Sequence, residues 1–82
     1  MELTFYTRAG CPLCDKAMAA VHQSGFTARH TVRPVDIDSD PELFDLYKWE
    51  IPVLVLEGRE ILKGIVTTDR FLAKMRELRI PL

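Results

Sequence analysis

The sequence predicts an α/β fold: one four-stranded mixed sheet with helices on both faces, in the order β-α-β-α-β-β-α. Three observations carry this expectation. The apolar run Leu3–Tyr6 is followed by Cys11-Pro12-Leu13-Cys14 and then by apolar residues at helical spacing. A second apolar alternation, Thr31–Ile37, is followed by the helix start Ser39-Asp40-Pro41-Glu42. Two further apolar runs flank Glu57-Gly58-Arg59-Glu60, the pattern of a tight hairpin. The first half implies a parallel βαβ pair with a right-handed crossover. The closing hairpin adds an antiparallel pair, and helices over both faces would bury the apolar runs.

Each element has a local cause. Leu3–Tyr6 reads as a short buried strand. From Pro12 to about Ser24, Cys14, Ala17, Met18 and Val21 fall on one helical face, and Gly25 is a suitable stop. Thr31–Ile37 is the second strand, with Pro34 marking it as an edge or irregular strand. Asp40 is the expected N-cap of the second helix, with Pro41 at its first position. That helix carries Leu43, Phe44 and Tyr47 and must stop before Pro52. Val53–Leu56 and Ile61–Lys63 form the hairpin. Thr67 or Thr68 caps a last helix whose apolar positions are Phe71, Leu72, Met75 and Leu78.

Length and charge narrow the functional classes. At 82 residues the chain is expected to form a single domain spanning 1–82. An apolar content of 48% argues against disorder, and a net charge of −1 gives no general basis for nucleic-acid binding. Met1-Glu2-Leu3-Thr4 has no basic, apolar leader character, and Ile51–Leu56 is too short to span a bilayer. A cytoplasmic monomer with no membrane or nucleic-acid partner is the resulting expectation. In that compartment two cysteines point to reversible thiol chemistry rather than to a structural staple.

The chemistry concentrates at Cys11 and Cys14. Two thiols three positions apart close a disulfide only where the backbone turns, and the first turn of a helix provides this. Its unpaired N–H groups and the positive end of the helix dipole favour a thiolate. Cys11 is therefore a candidate nucleophile. Pro12 suits the first helical position because its missing N–H would be unpaired there anyway. A zinc site would need His22 and His30 as further ligands, and His22 lies three helical turns from the thiols. A copper site is disfavoured by the element order, and an iron–sulfur cluster would have to be shared between two chains. Asp36-Ile37-Asp38-Ser39-Asp40 begins like a calcium loop, but Pro41 stands where that loop needs glycine. No resident metal is expected. Tyr47 and Trp49 are expected to pack into the core or over an edge near Pro52, and His22 and His30 to lie at the surface without a role.

The segments Phe5–Cys14, Val35-Asp36-Ile37-Asp38 and Ile51-Pro52-Val53 together resemble glutaredoxin-like proteins of the thioredoxin superfamily, over essentially the whole chain. The resemblance implies a thioredoxin-like fold and thiol–disulfide oxidoreductase activity. It casts Cys11 as the attacking thiol and Cys14 as the resolving thiol. Pro52 matches the family's cis-proline opposite the dithiol, and the backbone of Ile51 would pair with an extended substrate or glutathione. Arg8 stands where glutaredoxins often carry a cation that favours thiolate. Arg8, Pro12, Leu13, Ile51 and Pro52 thus form the implied substrate-binding set. The implied partners are a disulfide-containing protein or a glutathione-type thiol, with a reductase as electron donor and no bound cofactor. The sequence departs from ordinary glutaredoxins at Lys63–Asp69, where a Gly-Gly pair that helps hold glutathione is reduced to Gly64 alone. Glutathione is accordingly expected to be a weak co-substrate. The rival reading is a non-catalytic module of the same fold that binds a peptide, a metal or an iron–sulfur cluster.

Overall fold

In the computed structural model, which describes residues 1–82, the elements are β1 (Glu2–Thr7), α1 (Pro12–Gln23), β2 (Thr31–Asp36), α2 (Pro41–Tyr47), β3 (Val53–Leu56), β4 (Arg59–Lys63) and α3 (Thr68–Leu78). The strands form one sheet in the order β2-β1-β3-β4. β1 runs parallel to β2 and antiparallel to β3, and β3 pairs antiparallel with β4. The expected α/β architecture is therefore present.

Alternation along β1 explains the layering. Leu3 and Phe5 are fully buried in a core of 13 residues that also takes Ala17, Ala20 and Val21 from α1 and Phe71 and Met75 from α3. The two helices therefore share one face of the sheet. Tyr6 points to the other face, where the α2 ring of Tyr47 stacks on it at 4.6 Å between centroids. That second face is thinly covered, since α2 has no fully buried residue. Pro34, which donates no hydrogen bond, pairs with Phe5 on the edge strand β2, where an unfilled donor is tolerated.

The caps follow the sequence. The Asp40 carboxylate accepts the Glu42 N–H at 2.9 Å, and the Thr67 hydroxyl accepts the Arg70 N–H at 3.1 Å. Three details differ from expectation. β4 begins at Arg59, two residues before Ile61, because Glu57 and Gly58 alone make the turn, both with positive φ (52° and 75°). That geometry suits a two-residue hairpin, and its glycine bears the second positive φ without a Cβ clash. The register shifts between Leu54, opposite Leu62, and Val55, opposite Glu60, so Ile61 is the extra residue of a bulge. Finally, β2 ends at Asp36, one residue short of the expected Ile37, because Ile37–Ser39 turn into a short 3₁₀ helix whose Asp38 N–H is accepted by the Asp36 carboxylate at 2.8 Å, and a second 3₁₀ turn occupies Phe26–Ala28, a segment that showed no regular pattern.

Candidate active site

The register brings two distant segments to one end of the sheet. Tyr6 pairs with Val53, so Thr7 and the Arg8–Gly10 loop leave the sheet beside Ile51 and Pro52, which enter it. β4 ends here too, since Lys63 lies opposite Val53. Gly10, at φ 76°, turns the chain from the strand into α1.

Cys11 is the N-cap of α1. Its backbone is extended (φ −103°, ψ 102°), and its Sγ accepts the Cys14 N–H at 3.2 Å. Its carbonyl accepts the Asp15 N–H at 3.1 Å, the first rung of the helix. The sulfur thus occupies the position a serine or aspartate oxygen takes in an ordinary cap, facing N–H groups the helix leaves unpaired. Cys14, 2% exposed, belongs to the core, whereas Cys11 is only partly buried. The two are joined by a disulfide with Cα atoms 5.2 Å apart, within the usual range for such a bond. Pro12 and Leu13, between them, are both exposed.

Pro52 is fully buried, and the Ile51–Pro52 bond is cis. The Pro52 carbonyl accepts the Gly64 N–H at 3.0 Å, tying the β4–α3 connection to this segment. Ile51 packs against the same core as Cys11. Its N–H, however, is donated to the Tyr47 carbonyl at 3.1 Å. Of the two main-chain groups that pairing with an extended substrate would use, only the Ile51 carbonyl is unclaimed.

Arg8 is committed elsewhere than to the dithiol. Its Nε donates to Asp38 at 3.0 Å, and its guanidinium lies 5.3 Å from the Phe44 ring centroid. Asp38 offsets much of the charge that was expected to favour a thiolate, which leaves the helix terminus as the principal source of that effect. This pair was not legible from residue types, because residues 8 and 38 meet only through the β1–β2 register, in which Thr7 lies opposite Asp36.

Tyr47 packs as expected, and its hydroxyl is pushed above the ordinary phenol value by burial, then by Tyr6 and Glu60. Trp49 does not. It is 88% exposed, contrary to the expectation that it packs. It follows the last turn of α2, which ends at Tyr47, so it lies outside the helical spacing that would have turned it inward. His22 is exposed. His30 has partners that spacing does not reveal: its Nδ1 faces the Met1 ammonium at 3.1 Å and its Nε2 the Pro81 carbonyl at 2.7 Å. No group of three or more His, Cys, Asp or Glu side chains is arranged to hold a metal ion, and no helix is long and apolar enough to cross a membrane.

Lys63 on β4 reaches Glu50 at 2.8 Å, spanning from the sheet to the segment before Pro52. The hydrogen bond that the Lys63 ammonium donates to the Glu50 carboxylate, together with the charge of that carboxylate, holds the ammonium above the ordinary 10.5. A raised folded value means the pair's contribution is complete below the unfolded lysine value and fades as pH rises through the folded one. Glu50→Gln should return the Lys63 titration, followed by NMR, toward the ordinary value. Thermal stability at neutral pH should barely change, because both groups are half-exposed. An unchanged Lys63 titration would contradict the pairing.

The similarities of the chain agree with this geometry. The family model for the glutaredoxin-like domain (DUF836) matches residues 2–76. A glutaredoxin-like protein of Dictyostelium discoideum is 32% identical over 76 residues, covering 85% of this chain and 70% of that protein. A crystal structure of a structural-genomics target from X. campestris superposes with a TM-score of 0.79 at 34% identity, covering 92% of this chain and 96% of that one. Thioredoxin 1 from Thermosipho africanus shares the fold alone, with a TM-score of 0.66 at 13% identity over 98% of this chain and 97% of that one. With the family model spanning nearly the whole sequence and the paired cysteines at the head of α1, the chain belongs to the glutaredoxin-like family.

Proposed function

We propose that the protein is a thiol–disulfide oxidoreductase working through the Cys11–Cys14 couple. The observation that carries this reading is the asymmetry of the pair: Cys11 Sγ caps α1 and accepts the Cys14 N–H, while Cys14 is buried one turn on. A thiolate at Cys11 would keep that hydrogen bond and gain the field of the helix terminus.

In the reducing direction, the Cys11 thiolate attacks one sulfur of a substrate disulfide. A new S–S bond forms to Cys11, the substrate bond breaks, and the departing thiolate takes a proton from water. Cys14, deprotonated, then attacks Cys11 Sγ. The second substrate sulfur leaves as a thiolate, and the Cys11–Cys14 disulfide remains. Two electrons have passed from protein to substrate, and a thiol or dithiol reductant must return them. The direction of net flow depends on relative reduction potentials. No resident cofactor takes part, and the cytoplasm is the compartment that suits a reversible couple.

Glutathione is a poor fit as that thiol. Gly64 stands without a second glycine, the Ile51 N–H is already bonded to Tyr47, and Asp69 in the first turn of α3 opposes an incoming carboxylate. The test runs reduction of insulin-type disulfides, with a thioredoxin-reductase-type donor, beside reduction of a glutathione mixed disulfide of a small thiol. Turnover should be clearly higher in the first assay. Strong, saturable glutathione-dependent turnover would reverse the partner assignment, and activity in neither assay would end the redox reading.

A further inference from the structure

Arg8 follows the end of β1, and Ala9 and Gly10 make the turn that separates it from Cys11, Gly10 with φ 76°. A turn of this kind holds its first and last Cα atoms within ~7 Å. The arginine side chain is long enough to cover that distance and set its guanidinium beside the Cys11 sulfur. It goes the other way. Its Nε donates to Asp38 at 3.0 Å, and its guanidinium lies 5.3 Å from the Phe44 ring centroid.

The Asp38 end of this contact is fixed by the backbone. Asp38 sits in the 3₁₀ turn Ile37–Ser39, where the Asp36 carboxylate accepts its N–H at 2.8 Å. The Ser39 hydroxyl donates to the Asp36 carbonyl at 2.6 Å, and the fully buried Ile37 anchors the turn in the protein. Asp38 is therefore a held anion to which the Arg8 side chain comes. The Phe44 ring adds a second attraction that involves no net charge, through the negative face of its π system. Both attractions come from the chain between β2 and the middle of α2, and both draw Arg8 away from the head of α1.

The effect on the thiol follows from charge. A bare cation within ~4–6 Å of an ionising group favours its anionic form by about 1–3 pKa units. A guanidinium paired with a carboxylate has little net charge to offer. The other charges of this end supply no substitute: Lys63 pairs with Glu50, Lys48 with Asp45, and Asp15 adjoins Lys16 in α1. A field that stabilises the thiolate stabilises the reduced form, and so makes a dithiol couple more oxidising.

We propose that Asp38 is a positioning residue that sets the redox poise of the couple by holding Arg8 off Cys11. The pair keeps the couple more reducing than the helix terminus and a free Arg8 together would make it. The inference rests on the redox reading of Cys11 and Cys14.

The test follows two quantities at low ionic strength, where screening is weakest. One is the pH midpoint of Cys11 alkylation, read by peptide mass. The other is the reduction potential of the Cys11–Cys14 pair, from equilibration in dithiothreitol buffers. Asp38→Asn should lower the midpoint by about half a unit, less than the full effect of a cation because Arg8 is half-exposed. That threefold change should raise the potential by ~15 mV, at ~30 mV per tenfold. Combined with Arg8→Met, Asp38→Asn should move both quantities much less, since no cation remains to be released. Phe44→Leu changes no charge, yet by loosening the hold on Arg8 it should shift both in the same direction by a smaller amount.

Equal Asp38→Asn shifts with and without Arg8→Met would make Asp38 a bystander charge and overturn the inference. A midpoint that instead rises toward the ~8.5 of a free thiol would mean that Asp38 supports the turn and not the cation, and would overturn it too. In both cases a wild-type pair that oxidises and reduces reversibly in the buffers leaves the redox reading standing. A wild-type pair that stays in one state across the buffers would end that reading and the inference with it.

Discussion

Cys11→Ser is expected to abolish disulfide reduction, whereas Cys14→Ser should stop turnover after the first step and hold the substrate as a mixed disulfide on Cys11. The difference follows from position. Cys11 Sγ sits at the α1 terminus with an N–H directed at it, and Cys14 is 2% exposed behind it. Losing a covalent nucleophile should cost at least ~10³ in rate, the scale on which enzymes fail when their attacking group is removed. Cys14→Ser removes only the group that releases the product, so intact-mass spectrometry should find the protein heavier by one bound substrate thiol. The reduced wild type should also be alkylated first at Cys11, with a pH midpoint below the ~8.5 of a free thiol. Equal labelling of the two cysteines, or a Cys11→Ser protein that still turns over, would defeat the assignment of nucleophile.

How far the sequence could carry this reading depended on whether each feature is local. The caps at Cys11, Asp40 and Thr67 are set by residues within a few positions of one another, and the helices they start were legible. So was the pairing of the two cysteines, since one helical turn separates them. The start of β4 was harder to see because Arg59 and Glu60 face solvent and look like loop residues until the two-residue turn is recognised. The Arg8–Asp38 pair and the Ile51–Tyr47 bond depend on where the chain returns, and side-chain type alone does not report that. These are the contacts that alter the site. One withdraws a cation from the thiol's surroundings, and the other takes a donor from the substrate. Trp49 misled for a related reason: a large aromatic is usually buried, and here the helix ends two residues too soon to bury it.

Phe71→Ala is expected to be the most damaging single change to stability. Phe71 is fully buried on α3, and its ring meets Phe26 edge to face at 5.5 Å and 87°. The contact joins α3 to the segment that follows α1, so it fixes how the two helices lie on their shared face of the sheet. Truncating a buried phenylalanine costs about 3–5 kcal/mol. A chain of this size has a total stability on the order of 4–12 kcal/mol. The thermal midpoint should therefore fall by on the order of 20 °C, whereas Trp49→Ala, at an exposed position, should stay within about 0.5 kcal/mol of wild type. Phe26→Ala and the double variant complete a cycle in which the ring pair should couple by roughly 0.5–1.5 kcal/mol. Because Cys14 belongs to the same core, the loosened α1 should also expose it, and its alkylation rate should rise toward that of Cys11. If Phe71→Ala shifts the midpoint no more than Trp49→Ala, the two helices are not held by this contact, and the shielding of Cys14 must come from elsewhere.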